Sequence, residues 1–535
     1  MRPSIYNILL VGGVVLLAVG QVPASDEKGD YSHCEKFSGY FMKYNVCAKG
    51  RYLVDEEAVK FVLEIDNQKY FDKHISVTSL PGKHSKTQIF TMKVKMLCRN
   101  PDQYIRETKN DLHKMQRNYD PDLHPLEAPR EYKQALNAVK LERVFAKPFL
   151  CCLDGHRDGV TCVAKHPERL STVASGSYNG EVIIWNLASR KEVARIKAHE
   201  GSVKGMTFDP SGENLITCGD DKTIKIWNTD SDDCKEHKAS SIIVCTNSIF
   251  SISHSRDSKT FVTGGEVVQL WDGVKVIPDV TTHWGVDPIH CVQFNPVETS
   301  LIGACSSDRS VIIYDTRQAT PVRKLTMKMK ANKMCWNPME AFNFTAASED
   351  YNLYSFDCRN LSKPLVMHVG HTSAVIDVDY CPTGNEFVSG SYDKTIRIYE
   401  SHKTTSREVY HTKRMQRLTC VAYTHDSRYI ISGSDEMNLR LWKAIAWQKQ
   451  GVIKPREKAA LEYNNSLKEK FMTHPQIKRI ANHRQVPRHI FNAAKEHKII
   501  YQKIKRKEFN RKAHSKPGTV HIKASKLKAI VKEDE

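Results

Sequence analysis

The sequence predicts an all-β fold, a seven-bladed β-propeller, with a basic α-helical extension at its C-terminal end. Three observations predict it. Seven aromatic residues recur at nearly constant spacing: Trp185, Trp227, Trp271, Tyr314, Phe356, Tyr399 and Trp442, in steps of 42, 44, 43, 42, 43 and 43 residues. An internal period of ~40–45 residues with short strands is the mark of propeller blades. Most of these aromatics end a short stretch in which β-branched and polar residues alternate, as in Glu181-Val-Ile-Ile-Trp185, Thr223-Ile-Lys-Ile-Trp227 and Asn438-Leu-Arg-Leu-Trp442. That alternation suits a half-buried strand. The third observation is that the charge is uneven. Of a net +19, residues 443–535 carry 24 Lys and Arg against 8 Asp and Glu, whereas residues 1–91 carry 11 against 10.

From the N-terminal end, residues 1–25 read as a secretory leader: Arg2 is the charge, Ile8–Val19 the apolar run and Val22-Pro-Ala24 a small-residue cleavage site. The run is too short to span a bilayer comfortably. Residues 26–91 contain Cys34 and Cys47, show no repeat and receive no assignment. A secreted fate conflicts with the rest of the chain. Thirteen of the 15 Cys lie from Cys98 onward, without C-x-x-C pairs, and many fall in strand patterns, as Cys162, Cys291, Cys335 and Cys420 do. Cys used as a small core hydrophobe suits a reducing compartment. The expectation is therefore that 1–91 comes from a fused gene model or an alternative upstream exon. Tryptic peptides from 52–91 joined to the propeller in the endogenous protein would overturn it.

The extension 92–142 precedes the propeller, which is expected over 143–442. Counting seven blades back from Trp442 reaches Arg143. Lys147-Pro-Phe-Leu-Cys-Cys-Leu153 is expected to supply the outer strand of the last blade, so that the two ends of the ring join and no sheet edge is left open. Turn residues precede the aromatic-ended strands, as in Ser175-Gly-Ser-Tyr-Asn-Gly180 and Ser389-Gly-Ser-Tyr-Asp393. Six residues before the aromatic stands Asn179, Asp221, Asp308, Asp350 or Asp393. Several repeats open on a His: His156, His199, His371 and a weaker candidate, His411.

These residues resemble the WD-repeat family. The resemblance implies a buried hydrogen-bonded set within a blade, matched here by His199, Thr217, Asp221 and Trp227, and by His371, Ser389, Asp393 and Tyr399, with a phenol replacing the indole donor in the second set. Repeat one has Asn179 in place of Asp, repeat three has Gly264-Gly265 at that point, and repeat seven has Glu436. Those blades are expected to depend more on packing. A Ser-His-Asp set also suggests a hydrolase. Here it recurs at one spacing in several repeats and no G-x-S-x-G elbow is present, so the structural role is preferred and no catalytic residue is assigned.

The flanks carry a further resemblance. Arg99-Asn-Pro-Asp, Arg117-Asn-Tyr-Asp-Pro121, Pro129-Arg-Glu-Tyr132 and Lys140-Leu-Glu-Arg-Val-Phe-Ala-Lys-Pro-Phe149 lie before the propeller. Arg456-Glu-Lys-Ala-Ala460, His474-Pro-Gln-Ile-Lys-Arg-Ile480 and His514-Ser-Lys-Pro-Gly518 lie after it. Over about 92–520 the chain resembles the nucleolar WD-repeat proteins with a Sof-type C-terminal domain, which would be 443–535 here. The resemblance implies a non-enzymatic scaffold of ribosome biogenesis in the nucleus and nucleolus. Its partners would be small-subunit processome proteins, a small nucleolar ribonucleoprotein and pre-ribosomal RNA. It also implies an association with cullin-RING ubiquitin ligases. The docking residues for the ligase adaptor would be Asp315, Arg317, Asp357 and Arg359, in Tyr314-Asp-Thr-Arg317 and Phe356-Asp-Cys-Arg359, where Tyr and Phe replace Trp. The alternative for these four is local ion pairing at strand ends.

Within the tail, 455–472 reads as a helix with Ala459, Ala460, Tyr463, Leu467 and Phe471 on a docking face, and 488–512 as a second helix. Lys503, Lys505, Arg506, Lys507, Arg511 and Lys512 form a dense basic cluster. Phosphate-backbone contact with RNA, an import signal and a plain solvated helix all fit it. No cofactor or metal motif, membrane span or small-molecule substrate site is expected, and no motif for reading RNA sequence is visible.

Overall fold

In a computed structural model, the described residues are 6–11, 14–19, 72–77 and 90–95, and then 125–534 apart from 230–237, 274–277, 279, 283–286 and 319. The chain divides into two units, Met1–Ala128 and Pro129–Glu535. In the first, Tyr6–Val11 pairs antiparallel with Val14–Val19, and Asp72–Val77 with Phe90–Lys95. Most of 1–124, with the expectations attached to it, lies outside the described residues.

The second unit holds a seven-bladed propeller of antiparallel sheets. Blades 1 to 6 span 160–197, 203–244, 251–282, 289–327, 331–368 and 375–410, with the strands of each ordered in sequence from the inside outward. Blade 7 takes three strands from the end of the repeat array, Leu418–Tyr423, Tyr429–Ser434 and Asn438–Lys443. Its fourth is Phe149–Asp154, paired so that Asn438 faces Asp154 and Trp442 faces Phe149. The ring thus closes with strands from both ends of the array. Trp442 packs edge-on to Phe149 at 5.5 Å and stacks on Tyr410 at 5.7 Å.

The turn between the second and third strands has a fixed form. Five residues before the aromatic, Lys222, Arg309, Tyr351, Lys394 and Met437 all have positive φ, between 59° and 73°, in blades 2, 4, 5, 6 and 7. Blade 1 places Gly180 there, where a Cβ would come within 2.0 Å of the His199 carbonyl oxygen. Five side chains held in a left-handed conformation need local support, and in blades 2, 4, 5 and 6 the Asp one residue earlier supplies part of it by accepting the N–H of Thr223, Ser310, Asn352 or Thr395. Blade 3 lacks this turn because its hairpin is two residues shorter: Trp271 lies eight residues after its hydroxyl partner Thr263, against ten for Trp227 and Thr217.

The core lies at the seams. Seven apolar clusters each join two neighbouring blades, as Val182 and Ile196 of blade 1 join Val203 and Trp227 of blade 2. Polar side chains of the innermost strands tie the same seams. Asp377 and Asp379 of blade 6 accept the Val421 and Tyr423 N–H groups of blade 7 at 2.8 and 2.7 Å. The same carboxylates pair with Lys333 of blade 5 at 2.6 Å and Lys165 of blade 1 at 2.7 Å. Ser251 and Ser253 accept from Val292 and Phe294 N–H at 3.1 Å across the seam of blades 3 and 4.

Among the described residues, four helices flank the ring: α1 (Glu127–Val144), α2 (Pro455–Lys470), α3 (Pro475–Ala481) and α4 (Arg488–Ala513). Pro at the first helical position of α2 and α3 is pre-set for helical φ and lacks only an N–H that would be unpaired there. Ala135 and Val139 of α1 bury against Leu467 of α2 and Ile477 of α3. Lys468–Glu142 and Lys470–Glu131 pairs at 2.9 and 2.6 Å flank the contact. The segments before and after the propeller therefore build one helical cap. Arg143 and Arg484 anchor it to Glu408 of blade 6 at 2.9 and 3.1 Å. The docking face expected on α2 is shorter than its apolar pattern. Leu467 is buried, but Ala459, Ala460 and Tyr463 are exposed, because the packing concentrates at the C-terminal end of the helix. Beyond α4, Ser525–Ala529 forms a 3-10 turn and Ile530–Asp534 adds a fifth strand to blade 4, which the basic composition of the tail did not suggest.

Candidate functional site

The blade networks are geometric chains of donors. In blade 2 the Trp227 indole N–H donates to Thr217 Oγ1 at 3.0 Å, and His199 Nε2 lies 2.9 Å from that oxygen. His199 Nδ1 stands 2.9 Å from Asp221. Burial lowers the His199 pKa below its usual value. A neutral ring then accepts the Thr217 O–H on Nε2 and donates its Nδ1–H to Asp221, so every polar atom of the set is used. Blade 1 keeps the first half: Trp185 N–H to Ser175 at 2.8 Å and His156 to Ser175 at 2.6 Å. Asn179 turns instead to Glu181 N–H, and His156 Nδ1 has no hydrogen-bond partner.

In blade 6, His371 bridges Ser389 at 2.7 Å and Asp393 at 2.9 Å. Tyr399 must be taken out of this set, because its buried hydroxyl has no hydrogen-bond partner. An indole N–H leaves the side of the ring and meets the hydroxyl on the adjacent strand, whereas the phenol oxygen extends along the ring axis and passes it, ending near Gly370. The connectivity Ser-His-Asp is that of a hydrolase triad. Ser389 is fully buried, and His371 and Asp393 are 7% exposed, so no substrate carbonyl can reach the hydroxyl. His411 does not open blade 7; it bonds the Gln485 carbonyl in the helical cap. In blade 7 Glu436, at the turn-acid position, pairs with Arg440, which stands where Lys225 and Arg397 stand in blades 2 and 6, while Trp442 still donates to Ser432 at 2.9 Å.

The two Asp-x-Arg endings have the same form in neighbouring blades. Arg317 folds back on Asp315, with Nε at 3.0 Å and Nη2 at 2.8 Å, and its own N–H also caps that carboxylate. Arg359 repeats this on Asp357, at 3.1 and 2.9 Å. The fork of hydrogen bonds from Arg317 holds the Asp315 carboxyl below its usual range, and Arg359 does the same for Asp357. The arginine side chains remain 73% and 67% exposed. Each keeps Nη1 clear of its own carboxylate. The local ion pairing and a presented guanidinium are thus both present, and one sets up the other: the Asp fixes the direction in which Nη1 points.

The six basic residues all lie on α4 and are all exposed. At ~100° per residue they surround the helix rather than forming one stripe. Glu508, the acid in their midst, is taken by Lys528 at 2.6 Å, and among the described residues none of the six has a carboxylate partner. The helix also exposes Phe491, Ile499, Ile500, Ile504 and Phe509.

Sequence reasoning missed a network at the seam of blades 5 and 6. Thr345 links Ser355 at 2.8 Å and the Tyr380 hydroxyl at 2.6 Å, Ser355 meets His368 at 2.9 Å, and His368 Nδ1 donates to the Lys403 carbonyl at 2.7 Å. Its members come from strands of two blades and share no fixed spacing, so no repeat pattern carries them. Among the described residues no group of His, Cys, Asp and Glu is placed to hold a metal ion, and no helix is long and apolar enough to cross a membrane.

Comparison with known proteins agrees with this architecture. A family model described as a Sof1-like domain matches residues 444–530, and the WD domain, G-beta repeat model matches 147–186, 190–228, 276–315, 362–400 and 407–443. The chain is 55% identical over 441 residues to the human DDB1- and CUL4-associated factor 13, covering 82% of this chain and 99% of that one. It is 52% identical to the Xenopus tropicalis protein of the same name, with the same coverage. It is 44% identical over 443 residues to Protein SOF1 of Saccharomyces cerevisiae, covering 78% of this chain and 91% of the yeast protein. The chain belongs to the family of WD-repeat proteins that carry a Sof1-like domain after the propeller.

Proposed function

We propose that this protein is a non-enzymatic scaffold of ribosome biogenesis, acting in the nucleolus as a component of the small-subunit processome. Its propeller binds assembly proteins, and its tail reaches pre-ribosomal RNA. The observation that carries this reading is α4, a long solvent-exposed helix ringed by six cations that have no carboxylate partner among the described residues, within a Sof1-like domain. Such a helix neutralises phosphates and needs no base readout. The burial of Ser389, His371 and Asp393 supports a scaffold over a hydrolase. Depletion of the protein should raise unprocessed small-subunit precursor RNA, and a tag at the C-terminal end should give nucleolar signal and none in the medium. Normal precursor levels after depletion would count against the reading.

A second role fits beside the first. The relatives' name carries DDB1 and CUL4, and the paired turns of Asp315, Arg317, Asp357 and Arg359 offer two oriented guanidiniums on consecutive blades. We assign these four residues to docking on the ligase adaptor. Replacing both Arg317 and Arg359 by Ala should abolish recovery of DDB1, and unchanged recovery would argue against it.

A further inference from the structure

The end of the chain is built into the blade-5 docking turn. Ile530–Asp534 runs antiparallel to the outer strand of blade 4, Arg323–Met327, with Glu533 opposite Leu325 and Ile530 opposite Met327. The Lys328 N–H donates to the Ala529 carbonyl at 2.7 Å. Ala529 is buried in the cluster shared by blades 4 and 5, together with Cys358 and Leu361, and Ile530 and Phe342 pack against it. Cys358 and Leu361 bracket Arg359 in sequence, and Phe342 carries the Arg359 guanidinium 4.7 Å from its ring centre. Glu533 accepts the Leu361 N–H at 3.2 Å and lies 3.4 Å from Arg323 Nη1. That same nitrogen of Arg323 donates to the Arg359 carbonyl.

The tail strand therefore holds the segment 358–361 from two sides: apolar contact beneath it, and a carboxylate and a guanidinium clamping its backbone. Both turns close through the same bond, Gln318 N–H to the Asp315 carbonyl and Asn360 N–H to the Asp357 carbonyl, each at 3.0 Å, and the contacts of Ala529 and Glu533 are added at the blade-5 turn. A cover for the exposed edge of blade 4 would account for the strand pairing. It would not account for a carboxylate spent on the Leu361 N–H of the next blade.

We infer that the C-terminal strand is part of the ligase-adaptor docking face, with Glu533 and Ala529 as positioning residues that fix the blade-5 turn so that Arg359 presents its free guanidinium edge beside that of Arg317. This rests on the docking role assigned above to the two Asp-x-Arg turns. The partner surface it fits offers two acceptors, carboxylates or carbonyls, at the spacing of neighbouring blades. An unbraced turn must be ordered when the adaptor binds. Ordering a side chain and its loop costs enough to weaken binding about tenfold.

The test uses the full chain and purified DDB1 as the probe, with affinity and thermal midpoint both measured. Glu533→Ala should weaken DDB1 binding about tenfold and leave the midpoint nearly unchanged, since Glu533 reaches only the outer edge of blade 4 and one turn of blade 5. Glu533→Gln, which keeps an acceptor for the Leu361 N–H, should recover part of the loss. Ala529→Asp, which puts a charge into the shared cluster, should weaken binding at least as much as Glu533→Ala. If both Glu533→Ala and Ala529→Asp bind within about twofold of the wild type while Arg317→Ala with Arg359→Ala loses binding, the tail strand is an edge cover only and the inference is overturned, with the docking role intact. If the double arginine variant binds as the wild type does, the docking role itself fails and the inference falls with it.

Discussion

Trp227 and Tyr399 occupy equivalent positions five residues past the turn, yet they do different work. Trp227 donates to Thr217, whereas the Tyr399 hydroxyl is buried without a hydrogen-bond partner. Trp227→Phe should cost about 1–2 kcal/mol, the loss of a buried hydrogen bond with one partner left behind. Tyr399→Phe should be neutral or stabilise by up to about 1 kcal/mol, since it removes an unpaired hydroxyl. Urea denaturation of the two variants checks both. The histidines add a pH dependence. Burial lowers His156 and His368 from 6.5 to about 4. The unfolded chain therefore takes up these protons first, so the stability they contribute is complete above about pH 6.5 and is lost as the pH falls towards 4. A shift of that size is worth on the order of 3 kcal/mol per group at the acid end. The thermal midpoint should fall across this window, and His156→Gln should flatten part of the slope.

At the scale of elements, the innermost strands depend on the acids that cross the seams. Asp377 is 3% exposed in its side chain and serves both Val421 N–H and Lys333. Asp377→Ala leaves that N–H without its acceptor, at a cost of about 1–3 kcal/mol. Hydrogen exchange should quicken first in Leu418–Tyr423, the strand whose amide loses its partner. The periodic features of the blades were legible in the sequence because each is local. An aromatic, a hydroxyl ten residues earlier and a turn acid six residues earlier lie within one hairpin. The spacing even marks blades 3 and 5, which fall outside the matched WD repeats: blade 3 lacks the turn acid and blade 5 has Phe356 for Trp. The helical cap was not legible as a unit. Glu142 and Lys468 are 326 residues apart, and nothing in either local pattern specifies the other. The fifth strand of blade 4 was hidden for the same reason: five residues at the end of a lysine-rich tail carry no signal for a partner strand two hundred residues away.

For the whole molecule, the positive charge is concentrated in the tail, where residues 443–535 carry 24 Lys and Arg against 8 Asp and Glu. If α4 meets RNA through phosphates, replacing Lys503, Lys505, Arg506, Lys507, Arg511 and Lys512 by Gln should weaken RNA binding uniformly across sequences. The slope of log affinity against log salt should fall by roughly 0.7 for each lost contact on single-stranded RNA. The circular dichroism and the thermal midpoint of the propeller should not change, because all six side chains are exposed. A slope that stays the same would show that these cations do not touch phosphate.

Taken alone, the sequence determined the number of blades and the closure of the ring by Phe149–Asp154 on Asn438–Lys443, because repetition leaves a period that can be counted. The tertiary structure alone decided that Tyr399 stands outside its network, that α1 packs on α2 and α3, and that Ile530–Asp534 adds a strand to blade 4 next to the turn of Arg359. Those outcomes turn on the reach of a side chain and on which distant surfaces bury one another, and neither quantity has a period along the chain.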